Sequence, residues 1–513
     1  MNPLVSTKCA GRLLMALAAM TSIFLTVGCG SSGGTIPPLG GGYTKASLTG
    51  QYVIAQTGTE FNSQGTALQP FSETIVFTAD GKGNLNITAD DGDQGGAPFA
   101  LTSAVSGLYS ISSDGTGALQ INYSSTSQAN YAITMIDDSH FYVIEQDTGA
   151  TSSGLGEIQN NAAFTAPPSG SFVFKAHNIN TSSRVGGIAI AGGAITGNED
   201  FLTYGSLSPG TQPIASTISM STPDSNGRGT FTLSDGTSFN YYVVSSSKFH
   251  FVSNIGSLEI GQAETQTAPA GGFSVATLAA GTSYVFGSSG DTSNVAGIHS
   301  AGVFTTDGNG HIEAGNSTTT PGAVDYVQDF IVNPNLPFTV SGGIYTLATN
   351  GRGQINLTLS GGTISPQIFW MVNGTYAYFL ANNTAAVEDG TFSLQQGGPF
   401  TTLSNQAAFV MDGVDTSFKD RVGGFQPTSG GFNWNQAANA FDPTLGVFTP
   451  TITGTNGTYT VSANGRVAAV VNGVTLNGVT PGVVFYLSSP STGFMVQEDS
   501  ADIGGAFAQQ ASQ

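Results

Sequence analysis

Charge is the scarcest commodity in this chain. Only 9% of its 513 residues are Asp, Glu, Lys or Arg, against roughly a quarter in ordinary soluble domains. Lys and Arg together number 12, against 32 Asp and Glu. Without a basic surface to displace counterions, nucleic acid and anionic lipid headgroups are excluded as partners. Long helices are disfavoured too, because their surfaces draw on Glu, Lys and Arg. Tryptophan occurs twice, as Trp370 and Trp434, and cysteine twice, as Cys9 and Cys29. What fills the chain is glycine, 71 residues, together with Ser, Thr and Asn. Its Thr, Val, Ile, Phe and Tyr suit strands.

The first 45 residues stand apart from the rest. Lys8 and Arg12 precede a 15-residue apolar run, Leu13 to Val27. A membrane span needs about 20 residues, so the run fits the core of a secretory signal. It ends at Thr26-Val27-Gly28-Cys29, which resembles the lipobox of bacterial lipoproteins, where cleavage exposes a cysteine that carries lipid. Gly28 suits that motif. Thr26 departs from its usual leucine. The resemblance implies a signal peptide over residues 1–28 and a membrane anchor at Cys29. Gly30 after that cysteine implies the outer membrane or cell surface; ordinary secretion or a periplasmic location is the alternative. Removing Lys8 and Arg12 with the signal leaves 10 basic and 32 acidic residues, a net charge of −22. Cys9 goes with the signal, so no internal disulfide is possible and stability rests on apolar cores. Residues 29–45, rich in Gly, Ser and Pro, read as a flexible tether.

The remainder repeats itself four times. GLYSISSDGTGALQI (107–121), PDSNGRGTFTL (223–233), GIYTLATNGRGQINL (343–357) and GTYTVSANGRVAAVV (457–471) are each strand, turn, strand. A hairpin such as IVFTADGKGNLNI (75–87) or GVFTTDGNGHIEA (302–314) precedes each. Before that comes an opening strand such as QYVIA (51–55) or SYVFG (283–287). Each unit closes on aromatic-rich strands and a glutamine. The units span 46–160, 166–266, 270–396 and 400–511, with Pro-containing joints between them. Leu119 and Ile121 alternate with Gln120 and Asn122, and Ile355, Leu357 and Leu359 with Gln354, Asn356 and Thr358. Period two means antiparallel strands with one face in a core. About eight strands per unit predict an all-β chain of four tandem meanders, each an up-and-down barrel, with a β-sandwich as the alternative.

The motif Asp/Asn-Gly-x-Gly occurs at Asp80, Asp114, Asn226, Asp307 and Asn350, and partially at Asn464. It decays to Ala191-Gly192-Gly193 and Ser429-Gly430-Gly431. The acid is dispensable and the glycine is not. That pattern predicts hairpin turns needing φ > 0, not calcium loops, whose affinity lies in carboxylates. In a simple meander the two sets of turns share one rim.

Other candidate chemistry is sparse. Asp90, Asp91 and Asp93 form the densest acidic group; they read as a weak metal candidate or, more simply, a solvated loop. Arg228, Arg352 and Arg466 follow the turn in three units, with Thr116 in the first. They are candidate contacts for a carboxylate or sugar hydroxyls, or solvated strand flanks. Glu145 with Asp147, Glu388 with Asp389 and Glu498 with Asp499 recur, which suggests a common loop rather than one hydrolase pair. His140, His177, His250, His299 and His311 match no metal-binding spacing. No residue is assigned a catalytic role, and no cofactor is implied.

The opening strand, the paired hairpins and the closing glutamine together resemble uncharacterised repeat families of bacterial surface lipoproteins. The resemblance implies a location and no particular activity. The leading expectation is therefore a non-enzymatic, lipid-anchored surface protein with a binding or structural role, possible partners being glycans or cell-wall material. A small-ligand carrier inside a barrel is the alternative, and a carboxylate glycoside hydrolase the third reading.

Overall fold

The computed structural model describes residues 41–510, apart from 63–64, 66–67, 179–180, 204–205, 208–210, 293–296, 314–321, 329–330, 360–361, 364–366, 382–385, 414–418, 473–481 and 499–502. The predicted signal, Cys29 and most of the predicted tether thus lie outside the described residues, as does Asp499. Strands dominate, and the helical elements described are three short 3-10 turns. None is long and apolar enough to cross a membrane.

Each unit is a closed, eight-stranded, antiparallel up-and-down barrel. In the first, Thr49–Phe61 pairs with Leu68–Asp80 on one side and with the last strand, Ala150–Ile158, on the other. The pairing Phe172↔Thr265 closes the second barrel, Tyr284↔Leu394 the third and Ala407↔Gln509 the fourth. Closure leaves no free edge to recruit another strand. The first three barrels each carry one extra short strand, Ala97–Ala100, Ser206–Leu207 or Gly362–Thr363, folded back on the ladder.

Period two places the cores. Tyr52, Ile54, Leu119 and Ile121 point into the first barrel, Phe239, Tyr241 and Val243 into the second, and Ile355, Leu357 and Leu359 into the third. Trp434 stacks on Phe409 in the fourth, ring centroids 4.2 Å apart. An aromatic residue ahead of each first strand (Tyr43, Phe164, Phe273 and Phe400) plugs the rim of its barrel. Tyr43 is therefore core, although its sequence context is that of the tether. Its hydroxyl donates to the Ile136 carbonyl at 2.8 Å. The second and third barrels retain interior cavities of only about 30 and 10 Å³, room for a water at most.

The turn glycines behave as the motif predicts. Gly81, Gly115, Gly227, Gly308, Gly351 and Gly465 all have positive φ. The Asp or Asn before them binds its own turn. Asp80 Oδ1 accepts from the Lys82 and Asn84 amides, and Asn350 Oδ1 from the Arg352 amide. Both residue types make this bond, which is why they interchange. The two sets of turns share a rim: the Tyr109 amide donates to Gly83, Met220 to Gly193 and Tyr345 to Gly310.

The barrels form a ring. Outward-facing Val53 and Val76 of the first are as buried as its core, because they pack on Tyr242 and Val252 of the second. Val173 and Val185 meet Trp370 and Leu380 at the next seam. Val285 and Ala301 meet Val484 and Tyr486 at the third. Val422 of the last barrel meets Ala132 and Ile144 of the first. Eight apolar clusters result, four inside barrels and four between them.

Candidate functional site

The seams are where this molecule concentrates its polar chemistry. The closing glutamine of each barrel reaches the second hairpin turn of the next. Gln159 Nε2 donates to the carbonyls of Asn226 and Val243 at 3.0 and 2.7 Å. Gln266 does the same to Asn350 and Met371, and Gln395 to Asn464 and Leu487. Gln510, at the far end of the chain, donates to Asp114 and Met135 of the first barrel at 3.1 and 2.7 Å. The same clamp thus closes the ring.

These contacts explain the turn glycine further. A Cβ on Gly227 would lie 2.6 Å from the Phe164 ring and 2.9 Å from Gln159 Nε2. One glycine accommodates the turn, the plug of its own barrel and the clamp of the preceding one.

Beside each clamp in three seams lies a charged lock. Arg228 binds Asp91 of the first barrel, and Tyr242 donates to the same carboxylate. Arg352 binds Asp200 of the second barrel through Nε at 2.9 Å and Nη2 at 2.7 Å, and Trp370 Nε1 donates to it at 2.9 Å. Arg466 binds Asp325 of the third barrel through Nε at 2.7 Å and Nη2 at 2.6 Å, beside Tyr486. Such two-pronged pairs are among the stronger charge-assisted hydrogen bonds. Burial works against charge on Asp325, but Arg466 holds it below its usual range. The three arginines that the sequence offers as ligand contacts therefore have their guanidinium groups committed to a neighbouring barrel.

The fourth seam lacks this lock. Thr116 stands at the arginine position, Thr134 at the aromatic and Ala437 at the acid. In its place are hydrogen bonds to carbonyls and to a carboxylate. Asn439 Nδ2 donates to the carbonyls of Glu145, Asp147 and Ala150, and Thr151 Oγ1 donates to Asp420 at 2.7 Å. Phe61 meets Phe441 and Phe448 edge-on.

The acidic group at Asp90, Asp91 and Asp93 is not a solvated loop. It lies in the strand Asn84–Gln94, and all three side chains are buried. Asp91 belongs to the lock, Tyr123 reaches Asp90, and Asp93 accepts from the Leu258 amide of the second barrel. Nor do the paired carboxylates share a loop. Glu145 lies in the penultimate strand of its barrel and Glu388 with Asp389 in the last strand of theirs. Glu388 accepts from Ser288 and Ser300 inside the third barrel, while Asp389 faces Lys175 at 3.1 Å across a seam. Trp434 packs in a core, but Trp370 packs in a seam.

On the ring axis the four first strands enclose a cavity of about 100 Å³. Thr57, His177, Ser289 and Asp412, at corresponding positions of the four barrels, line it. Burial and Lys175 push the His177 imidazole below its ordinary value, against the pull of Asp389. Among the described residues, no group of three or more His, Cys, Asp or Glu is arranged to hold a metal ion. No protein-family model matches the chain, and no curated protein matches it significantly.

Proposed function

We propose that this chain is a lipid-anchored bacterial surface protein, held at the outer membrane through Cys29, whose ring of four barrels has a non-enzymatic binding or structural role. One observation carries the reading. Polar and charged groups that another protein would devote to a site are here devoted to joining barrels, clamp by clamp and lock by lock. A rigid body with a neutral polar exterior on an N-terminal tether suits display at a surface. Its charge of −22 keeps nucleic acid away. The resemblance to repeat-containing surface lipoproteins points the same way.

Carriage of a ligand inside a barrel has the filled interiors of the second and third barrels against it. A carboxylate hydrolase has against it the dispersal of the acidic pairs over strands and seams.

Cys29→Ala should move the protein from the membrane fraction to the soluble one and abolish incorporation of labelled palmitate. Retention in the membrane with no label would sink the anchor. Pull-down on isolated cell walls and glycan-array screening test the binding role, and blank results in both would leave only the structural one.

A further inference from the structure

Where the first, second and third barrels meet, the ring leaves a groove of about 620 Å³. That lies within the roughly 300–1,000 Å³ of small-molecule sites, unlike the cavities described above. The last strand of the first barrel forms one wall. The hairpins joining Ser238–Ser245 to Lys248–Ser253 and Gln367–Asn373 to Tyr376–Ala381 form the others. Ile158 supplies a small apolar patch, and Val244 and Val372 beside it are buried in the seams.

Polar groups of both kinds surround that patch. Lys248 Nζ lies 2.8 Å from Glu157 Oε2 and 3.9 Å from Glu264 Oε1. His140 Nε2 lies 3.8 Å from Glu157 Oε1. Asn160 and Asn373 add amides. Cations and carboxylates are interleaved, so no field of one sign recruits a charged ligand. Donors and acceptors around an aliphatic patch match a neutral sugar. Each sugar hydroxyl both donates and accepts, and a pyranose has a C–H face to lay on aliphatic carbon.

The charged pair in the groove is also unique at its repeat positions. Glu157 stands two residues before its closing glutamine; the corresponding residues are Glu264, Ser393 and Ala508. Lys248 opens its penultimate strand; the corresponding residues are His140, Tyr376 and Thr492. At these two repeat positions an acid and a lysine coincide only between the first and second barrels.

We infer that this groove binds a neutral oligosaccharide. The inference rests on the binding role proposed above and gives it a place and a ligand class. Ser247 is exposed and lines the groove, so Ser247→Trp should fill it without disturbing a core. Thr375 holds the same turn position in the third barrel and does not line the groove, so Thr375→Trp is the control. The full-length protein in detergent is screened on an array of neutral β-glucan, maltooligosaccharide and N-acetylglucosamine oligomers. The strongest probe is then titrated by calorimetry. The expected result is a Kd at least tenfold weaker for Ser247→Trp and unchanged for Thr375→Trp. Equal affinity in both variants would place the sugar elsewhere and overturn the groove while leaving a binding role intact. An array with no hit, beside positive cell-wall pull-down, would overturn the ligand class alone. Blank results in both assays would remove the binding role and the groove together.

Discussion

Three seams of the ring carry an arginine, an aspartate and an aromatic ring, and the fourth carries Thr116, Ala437 and Thr134 in the same places. All three partners are absent together. A buried ion pair is weak evidence for stability, because desolvation consumes most of the Coulombic gain. It is better evidence for discrimination. If the Asp91 face of the first barrel docked on the Thr116 socket, the aspartate would be buried unpaired. If the Ala437 face docked on the Arg228, Arg352 or Arg466 socket, a guanidinium would be left without its acid. Docking the Ala437 face or the Thr116 socket on a locked partner therefore carries a penalty that the native order avoids. The closing seam needs no lock of its own, because the three locked sockets reject its face.

Breaking a lock is the largest test of this contrast. Arg352→Ala strands Asp200, which is 1% exposed, and should cost about 3–5 kcal/mol in chemical denaturation. Thr116→Ala at the same place in the fourth seam should cost under about 1 kcal/mol. Similar costs at the two positions would remove the distinction.

The clamps should show no such contrast. Gln266→Ala and Gln510→Ala each remove the donor to two carbonyls, which are buried at Gln510 and more exposed at Gln266. Each should cost about 1–3 kcal/mol. A markedly smaller loss for Gln510 by thermal denaturation would mean that the ring is not held closed by the same joint.

Titration separates the locked seams from one another. Burial, and then the Asp325 carboxylate, push Glu498 up to about 7, from an ordinary 4.5. A raised acid stabilises the fold below about pH 4.5 and loses that contribution as pH climbs to about 7. Glu157 runs the opposite way. Burial opposes its charge, but His250 and Lys248 hold it below the usual range. Its contribution is full above about pH 4.5 and fades as pH falls through the lowered value. Glu498→Gln should flatten the melting temperature between pH 4.5 and 7, and Glu157→Gln should flatten it at the acid end. Interchanged effects would refute the assignment.

The smallest effect should come from removing a lock entirely. Arg228→Met with Asp91→Leu and Tyr242→Phe removes all three partners of a lock at similar volume and should change stability by less than about 1 kcal/mol. If it costs as much as Arg352→Ala alone, the pair is a stabilising device and not a discriminating one.

Much of this molecule is legible in its residues. Alternation at Leu119–Ile121 and Ile355–Leu359 marks strands with one face inward, and glycine, usually after Asp or Asn, marks the hairpins. Both depend on neighbours along the chain. The locks were harder to read, because Arg228, Arg352 and Arg466 find their partners 137, 152 and 141 residues away. A signal did exist. Asp91, Asp200 and Asp325 each precede their arginine by about one repeat, and acid and arginine vanish together at Ala437 and Thr116. Asp90 to Asp93 misled for a related reason. Clustered carboxylates ordinarily mean solvent, but a neighbouring barrel here supplies the arginine and amide that make their burial tolerable.

By itself the sequence determined the strands and hairpins, since backbone φ and the side-chain period are settled within a few residues. Only the tertiary structure decided that the barrels form a ring, bringing Gln510 to Asp114 across 396 residues. Closure depends on the angle each barrel makes with the next, summed over four seams. That angle is set by the packing of surfaces assembled from distant strands, which no short stretch of chain contains.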